Sequence, residues 1–324
     1  MISRLFSREP DTRIFFATDI HGSETCWRKF LNSGKHYEAK VMVLGGDMTG
    51  KALVPIVEEG AGRWRATLLE NRQEFRSEEE VKEFEDSVRR RGYYPFRTTP
   101  DEMAEFESDE KLRDELFHKE MLGTVERWMQ MADEKLDGTD IECFVSPGND
   151  DQFEVDEIIS AAKRVQLAEG RVVEFGEFQM VSTGWSNRTP WDTYREEDEE
   201  ALAERLKKMT SQVTATPEQT IYNFHCPPYG TGLDDAPELT EDLRPKHGGR
   251  SIVPVGSTAV KEAIEEGQPA LSLHGHIHEA RGNTRIGRTL AINPGSSYEQ
   301  GQLLGAMIDL DGKHRVKRFI LTSG

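Results

Sequence analysis

The stretch Leu273-His274-Gly275-His276-Ile277-His278 sets two imidazoles two residues apart, directly after an apolar run at 269–273 that reads as a buried strand. Alternation along an extended segment sends His276 and His278 to the same side. Two neutral imidazoles so placed are a ready pair of metal ligands. Solvated or hydrogen-bonded histidines would explain such a pair equally well if it stood alone. It does not stand alone, because four other apolar runs stop at residues of the same chemical kind. Residues 13–18 end at Asp19-Ile20-His21, residues 41–44 at Gly45-Gly46-Asp47, residues 141–145 before Asn149-Asp150-Asp151, and residues 220–224 at His225.

The elements that must position these side chains follow from the spacing. Between the first two runs, Ser23 can cap a helix whose Trp27, Phe30 and Leu31 recur at i, i+3 and i+4. A strand, a helix and a second strand, with both strands apolar throughout, predict a βαβ unit in a covered sheet. In open α/β sheets ligands gather outside the carboxyl ends of the strands. Asp19, His21, Asp47, Asn149, His225, His276 and His278 would therefore arrive together. These donors suffice for two metal ions sharing a bridging carboxylate. The mixture of Asp, Asn and His favours divalent transition metals, Mn first with Fe, Zn, Co or Ni as alternatives, over Ca or Mg alone. Such ions, about 3.5–4 Å apart, activate a water and clamp both oxygens of an in-line phosphoryl displacement.

In order and wording these blocks resemble the calcineurin-like metallophosphoesterases, whose pattern is Asp-x-His, Gly-Asp, Gly-Asn-His-Asp/Glu, His and Gly-His-x-His. Here it takes the form Asp19-Ile20-His21, Gly46-Asp47, Gly148-Asn149-Asp150-Asp151, His225 and Gly275-His276-Ile277-His278, spanning residues 19–278. Asn293-Pro294-Gly295-Ser296 also resembles a loop that closes the site in several members. The resemblance implies an α/β fold, an α/β/β/α sandwich of two mixed sheets. It implies Asp19, His21 and His278 on one ion, Asn149, His225 and His276 on the other, Asp47 bridging, and attack on a phosphoester by a metal-bridging hydroxide.

One position departs from the pattern. Asp150 stands where the family has a histidine that protonates the leaving oxygen or binds the phosphate. A free aspartate has a pKa near about 3.9 and nearby cations favour its anion further, so Asp150 is expected to be a poor general acid at neutral pH. As an anion it would repel a monoester dianion more than a diester monoanion, which predicts a preference for diesters. Asp151, three residues before Glu154, is expected to cap the next helix. Lys51, just past Asp47, is a candidate phosphate contact, with a solvated lysine as the alternative reading. In the loop at 227–250, Tyr229, Lys246, His247 and Arg250 are candidates for recognition, and His247 is a candidate replacement for the missing acid.

Residues 58–138 interrupt the strand and helix rhythm and are expected to form an inserted helical region within a single domain of residues 1–324. Residues 64–75 could form a small hairpin carrying Arg65 and Arg72 that reaches over the site. Ser77 with Glu80, and Thr99 followed by Pro100 and Glu102, mark helix starts. The insert could also serve a homo-oligomer. Asp311-Gly312 is a turn signal between the last two strands.

The 324 residues carry a net charge of −18, which argues against a duplex nucleic-acid face and leaves a small phosphoester or nucleotide as the expected partner. No apolar run approaches the roughly 20 residues of a membrane helix, and Met1 to Phe6 lacks the apolar stretch of a secretory signal. Three cysteines cannot all pair, and a reducing cytoplasm is the simple expectation. Two other functions stay open beside the phosphoesterase: a nuclease acting on short oligonucleotides, and a catalytically weak metal-binding scaffold of the same fold.

Overall fold

The computed structural model describes residues 12–311, 313 and 315–324. The reading of Met1 to Phe6 and the Gly312 half of the final turn signal lie outside them. The chain opens as expected with β1 (Thr12–Ala17), α1 (Glu24–His36) and β2 (Val41–Leu44). Ser23 caps α1 by accepting from the Cys26 amide at 3.4 Å. There follow β3 (Leu53–Gly60), β4 (Arg63–Leu68), β5 (Asn71–Phe75), α2 (Glu78–Arg90), β6 (Tyr94–Thr98), α3 (Pro100–Ser108) and the long α4 (Glu110–Leu136). The core path resumes with β7 (Glu142–Val145), α5 (Val155–Ala161) and β8 (Val165–Leu167). The second half runs β9 (Val172–Phe175), β10 (Phe178–Thr183), the short β11 (Ser186–Asn187) and β12 (Glu196–Glu197), α6 (Glu199–Thr210), β13 (Thr220–Phe224), β14 (Asp235–Pro237) and β15 (Ile252–Pro254). It ends with α7 (Thr258–Gly267), β16 (Leu271–Leu273), β17 (Gly282–Ile286), β18 (Thr289–Asn293), β19 (Leu304–Leu310) and β20 (Val316–Ser323).

Two six-stranded mixed sheets form the centre, in the orders β20-β19-β1-β2-β7-β8 and β17-β18-β16-β13-β10-β9. The two-residue period of a strand decides what each face meets. Ile14 and Phe16 of β1 join Val41, Val43 and Phe144 against Met180, Ile221, Leu271 and Ile292 of the facing sheet. The alternate residues Phe15 and Ala17 turn outward onto Trp27 and Phe30 of α1, Trp128 of α4 and Ile159 of α5. On the far side Val181, Tyr222 and Phe224 pack with Leu202 and Leu206 of α6 and with Val260 and Ile264 of α7. Each such side chain contributes about 1.5–3 kcal/mol when fully buried. The result is the α/β/β/α sandwich implied by the motifs.

The insertion is helical in part and carries more sheet than the sequence suggests. The expected hairpin is present, with Trp64 opposite Phe75, but β3 extends it and also pairs in parallel with β6, giving a sheet ordered β5-β4-β3-β6. Val54, Ile56, Phe75, Val81, Phe84 and Val88 make a separate apolar cluster between that sheet and α2. The Thr99–Glu102 capping box, with Pro100 in the first turn, starts α3 as the spacing predicts. Helix α4 ties the insertion to the sandwich: Trp128 stacks on Trp27 at 5.2 Å with 6° between the rings.

Candidate dinuclear metal centre

Strands β1, β2 and β7 run parallel in one sheet, and β13 and β16 run parallel in the other. All five deliver their carboxyl ends to one place. Asp19, His21 and His278 bring ligand atoms within 4.8 Å of one another there, as do Asp47, His225 and His276. The first is the set the resemblance implies for one ion; the second joins His225 and His276 to Asp47, and His21, Asp47 and Asp150 make a third such group. Asp47, a member of the second group, also faces the first, its Oδ2 3.7 Å from His21 Nε2 and 3.4 Å from His225 Nε2. Its Oδ1 accepts from the Asp150 amide at 3.0 Å.

Several donors are oriented for cations. His225 Nδ1 lies 3.0 Å from the Gly45 carbonyl, so that nitrogen carries the hydrogen. The buried Nε2 is left without a hydrogen-bond partner and turned toward Asp47. Asn149 donates its amide to Thr193 Oγ1 at 2.8 Å and holds a buried Oδ1 without a partner. The Nε2 atoms of His21 and His278 face each other at 3.0 Å. A buried polar atom without a partner costs about 1–3 kcal/mol, and a ring nitrogen fixed by its other nitrogen is the usual arrangement of a metal-bound histidine. The residues fit a pair of divalent ions.

The charges agree. Burial holds His21 down at about 3 and His276 at about 4, so both are neutral and able to coordinate. Burial works against the charge on His225 as well, yet the Asp47 and Asp19 carboxylates push it up to about 10. Burial likewise opposes ionisation of Asp19, but the bond to His278 and the charge of His225 bring it to about 2. The Asp19 and Asp47 carboxylates, both held below their ordinary values, thus offer negative charge that two cations would neutralise.

The backbone at this centre is under tension. Asp19, His21, Asp47 and His276 all have positive φ, at 53°, 37°, 48° and 67°, a region that costs non-glycine residues about 1–3 kcal/mol each. The glycines beside them allow the close approach. A Cβ on Gly148 would collide with Asp47 Oδ1, and one on Gly275 with Asp19 Oδ2 and Thr18 Oγ1. The positive φ also corrects the expectation of alternation, since β16 stops at Leu273 and a turn, not an extended strand, aims His276 and His278 at separate ligand groups. His274 is buried, and its ring nitrogens meet Ser272 Oγ at 2.8 Å and the Phe224 carbonyl at 2.8 Å. It braces the turn.

Asp150 sits at the edge of the centre, its Oδ2 2.6 Å from Lys51 Nζ and 3.9 Å from His21 Nδ1. Burial, followed by the Asp47 charge, pushes it up to about 6 against the pull of Lys51. The protein's own groups therefore raise Asp150, where the sequence led us to expect a lowered value; divalent cations act in the opposite direction. Asp151 is not a helix cap, since α5 begins at Val155 after Glu154. Its buried carboxylate instead accepts from the amides of Gly148 at 2.7 Å, Met48 at 3.0 Å and Thr49 at 2.8 Å, binding the Asp47 loop to the Asn149 loop. His247 is exposed on the 227–250 loop, and neither it nor Lys246 or Arg250 is among the residues lining the cleft, whereas Tyr229 is. Arg63, Arg65, Arg72 and Arg76 do not line it either, and α4 contributes Arg113, Phe117 and Met121 in their place.

Some contributors had no signal of their own in the sequence. Tyr298 lays its ring 4.8 Å from that of His21 and 5.9 Å from that of His278. Thr193, which orients Asn149, is held by the Glu196 carboxylate at 2.6 Å. Asn293 is the exception, because its motif was visible: its amide donates to the Gly275 and Ile277 carbonyls at 3.2 and 3.0 Å, and Ser296 Oγ donates to the Asp19 carbonyl at 2.6 Å.

No family model matches the chain. An uncharacterized protein of Methanocaldococcus jannaschii is 29% identical over 157 residues, which are 48% of this chain and 64% of that protein. The match therefore spans less than two thirds of that relative. One crystal structure covers 96% of this chain and 98% of its own with a TM-score of 0.55 at 17% identity. The crystal structure of a Thermus thermophilus protein covers 97% of this chain and 98% of its own, with a TM-score of 0.52 at 11% identity. At these identities the likeness is one of fold.

Proposed function

We propose that this chain, whose fold and order of ligand residues resemble those of calcineurin-like metallophosphoesterases, hydrolyses a phosphodiester. The observation that carries the reading is the convergence of Asp19, His21, Asp47, Asn149, His225, His276 and His278, from five strand ends on two sheets, with buried donor atoms left unpaired. Two divalent transition-metal ions, when bound, would supply the activated water and neutralise charge on the phosphoryl oxygens. The chain's own residues do the rest. Asp47 belongs to one ligand group and faces the other, and His225 and Asn149 are held in the orientation that presents a lone pair. Lys51 places a cation at the mouth of the centre, where a phosphoryl oxygen would lie. Asp150 sets one negative charge beside it, which a diester monoanion tolerates better than a monoester dianion. A centre with all its ligand positions filled favours turnover over the scaffold reading.

The test is an assay of chelator-stripped protein on bis(p-nitrophenyl) phosphate and p-nitrophenyl phosphate, with and without Mn²⁺, beside Asp47→Asn. The expected result is metal-dependent cleavage of the diester, weak on the monoester and lower by at least about a hundredfold in the variant. Metal binding without turnover on either substrate would overturn the reading.

A further inference from the structure

The cavity that contains the metal centre is much larger than a phosphoryl group needs. It measures about 1370 Å³ and runs from His21, Asp47 and His278 outward between the 188–194 loop and the segment that carries β14 and β15. Clefts for compact ligands usually measure about 300–1,000 Å³. The outer part is lined by Leu239, Leu243, Pro245, Val253, Val255 and Trp191. Leu243 is 43% exposed and Trp191 62% exposed. Among the described residues none of these six belongs to any of the apolar clusters that hold the fold together. This is apolar surface with no structural partner, continuous with the metal centre, and patches of that kind mark binding sites.

Four of the polar side chains along the same walls are engaged elsewhere. Arg188 pairs with Asp198 and Asp192. Arg113 donates to the carbonyls of Phe106 and Glu107, and the Asn187 amide donates to the Val255 carbonyl. Gln152 is held between His118 and Tyr194. Apart from Tyr229, 41% exposed, little remains to read the hydrogen-bonding edge of a base, and the exposed Asp114 and Glu279 at the mouth would repel a second phosphate. We infer that the substrate is a phosphodiester with a single negative charge and an extended hydrocarbon on one ester oxygen, which lies along Leu239, Leu243 and Val253. This rests on the phosphodiesterase reading above.

The experiment uses Mn²⁺-loaded protein and p-nitrophenyl diesters whose second ester group is methyl, n-octyl or thymidine 5′. The leaving group is constant, so differences in kcat/KM report the second arm alone. The octyl diester is expected to exceed the methyl diester by at least about tenfold, each buried methylene adding to the preference, and to exceed the thymidine diester as well. In Leu243→Asp with Val253→Asp the octyl-to-methyl ratio is expected to fall toward one. A thymidine diester that is cleaved best, or three equal rates, would overturn the hydrocarbon arm and leave the phosphodiesterase standing. If no diester is cleaved, calorimetric titration with monomethyl octylphosphonate decides the arm separately. Binding that is weakened in the double variant supports it, and absent or unaffected binding overturns it.

Discussion

Asp150 occupies the position where the resemblance calls for a histidine, and its surroundings pull it two ways. Lys51 holds its anion at 2.6 Å, while burial and Asp47 raise its proton affinity. With divalent cations bound and Lys51 beside it, the anion would be favoured, and Asp150 would be a weak source of a proton for an alkoxide leaving group. Asp150→His is therefore expected to raise turnover on alkyl phosphates by about tenfold or more, within the usual contribution of a positioned acid. Steady-state rates on a methyl or ethyl phosphate check this, and an unchanged rate would mean that the leaving oxygen finds its proton elsewhere. At this scale the candidate ligands were legible because each belongs to a short motif tied to a strand end. Asp151 was misread because Asp-x-x-Glu describes a capping box equally well, and only the folded loops show its carboxylate facing Met48 and Thr49. Thr193 and Tyr298 reach the ligands across distances in sequence that no local pattern encodes.

At the scale of elements, the first sheet is tied at its β19 side by a trio across three strands. Asp309 lies opposite Arg13 in β1 and Arg318 in β20, at 2.6 Å from each guanidinium. Burial alone would raise this carboxyl, but the two arginines hold it below its ordinary value. A depressed carboxylate contributes stability above its unfolded value of about 3.9 and loses it as pH falls through the folded value. Asp309→Asn is expected to lower the stability of the protein by about 1–3 kcal/mol at pH 7, with the difference shrinking below about pH 4. Urea denaturation of both proteins at pH 7 and pH 3 measures it, and a pH-independent difference would contradict the account. The strands of this sheet were readable from their continuous apolar runs. The parallel pairing of β3 with β6 was not, because it joins segments separated by the hairpin and α2 and depends on the insertion's own core.

For the whole molecule, the candidate ligands come from both sheets, so bound ions would join the two layers at one edge of the sandwich. A ligand that binds only the folded state stabilises it by about 4 kcal/mol at a thousandfold its Kd. Saturating Mn²⁺ is expected to raise the Tm of chelator-stripped protein by at least about 4 °C. Differential scanning calorimetry with and without the ion checks this, and Asp47→Asn should abolish most of the shift. The α/β class was visible in the sequence as a βαβ unit of apolar runs, and the sandwich of two mixed sheets followed from the motif resemblance rather than from the strand count. The shape of the cleft was not visible, since α4, the 188–194 loop and the β14–β15 segment come from three distant stretches. Among the described residues no helix is long and apolar enough to cross a membrane.

The insertion leaves the sandwich after Asp47 and returns before Asn149, yet β2 and β7, which lead into those two candidate ligands, are neighbours in register. Everything from β3 to α4 is thus hung from a seam between adjacent strands without displacing either ligand. Such an arrangement divides the labour of the segment: β3 to α2 fold around an apolar cluster of their own, while α4 closes one face of the sandwich and lends Arg113, Phe117 and Met121 to the cleft wall.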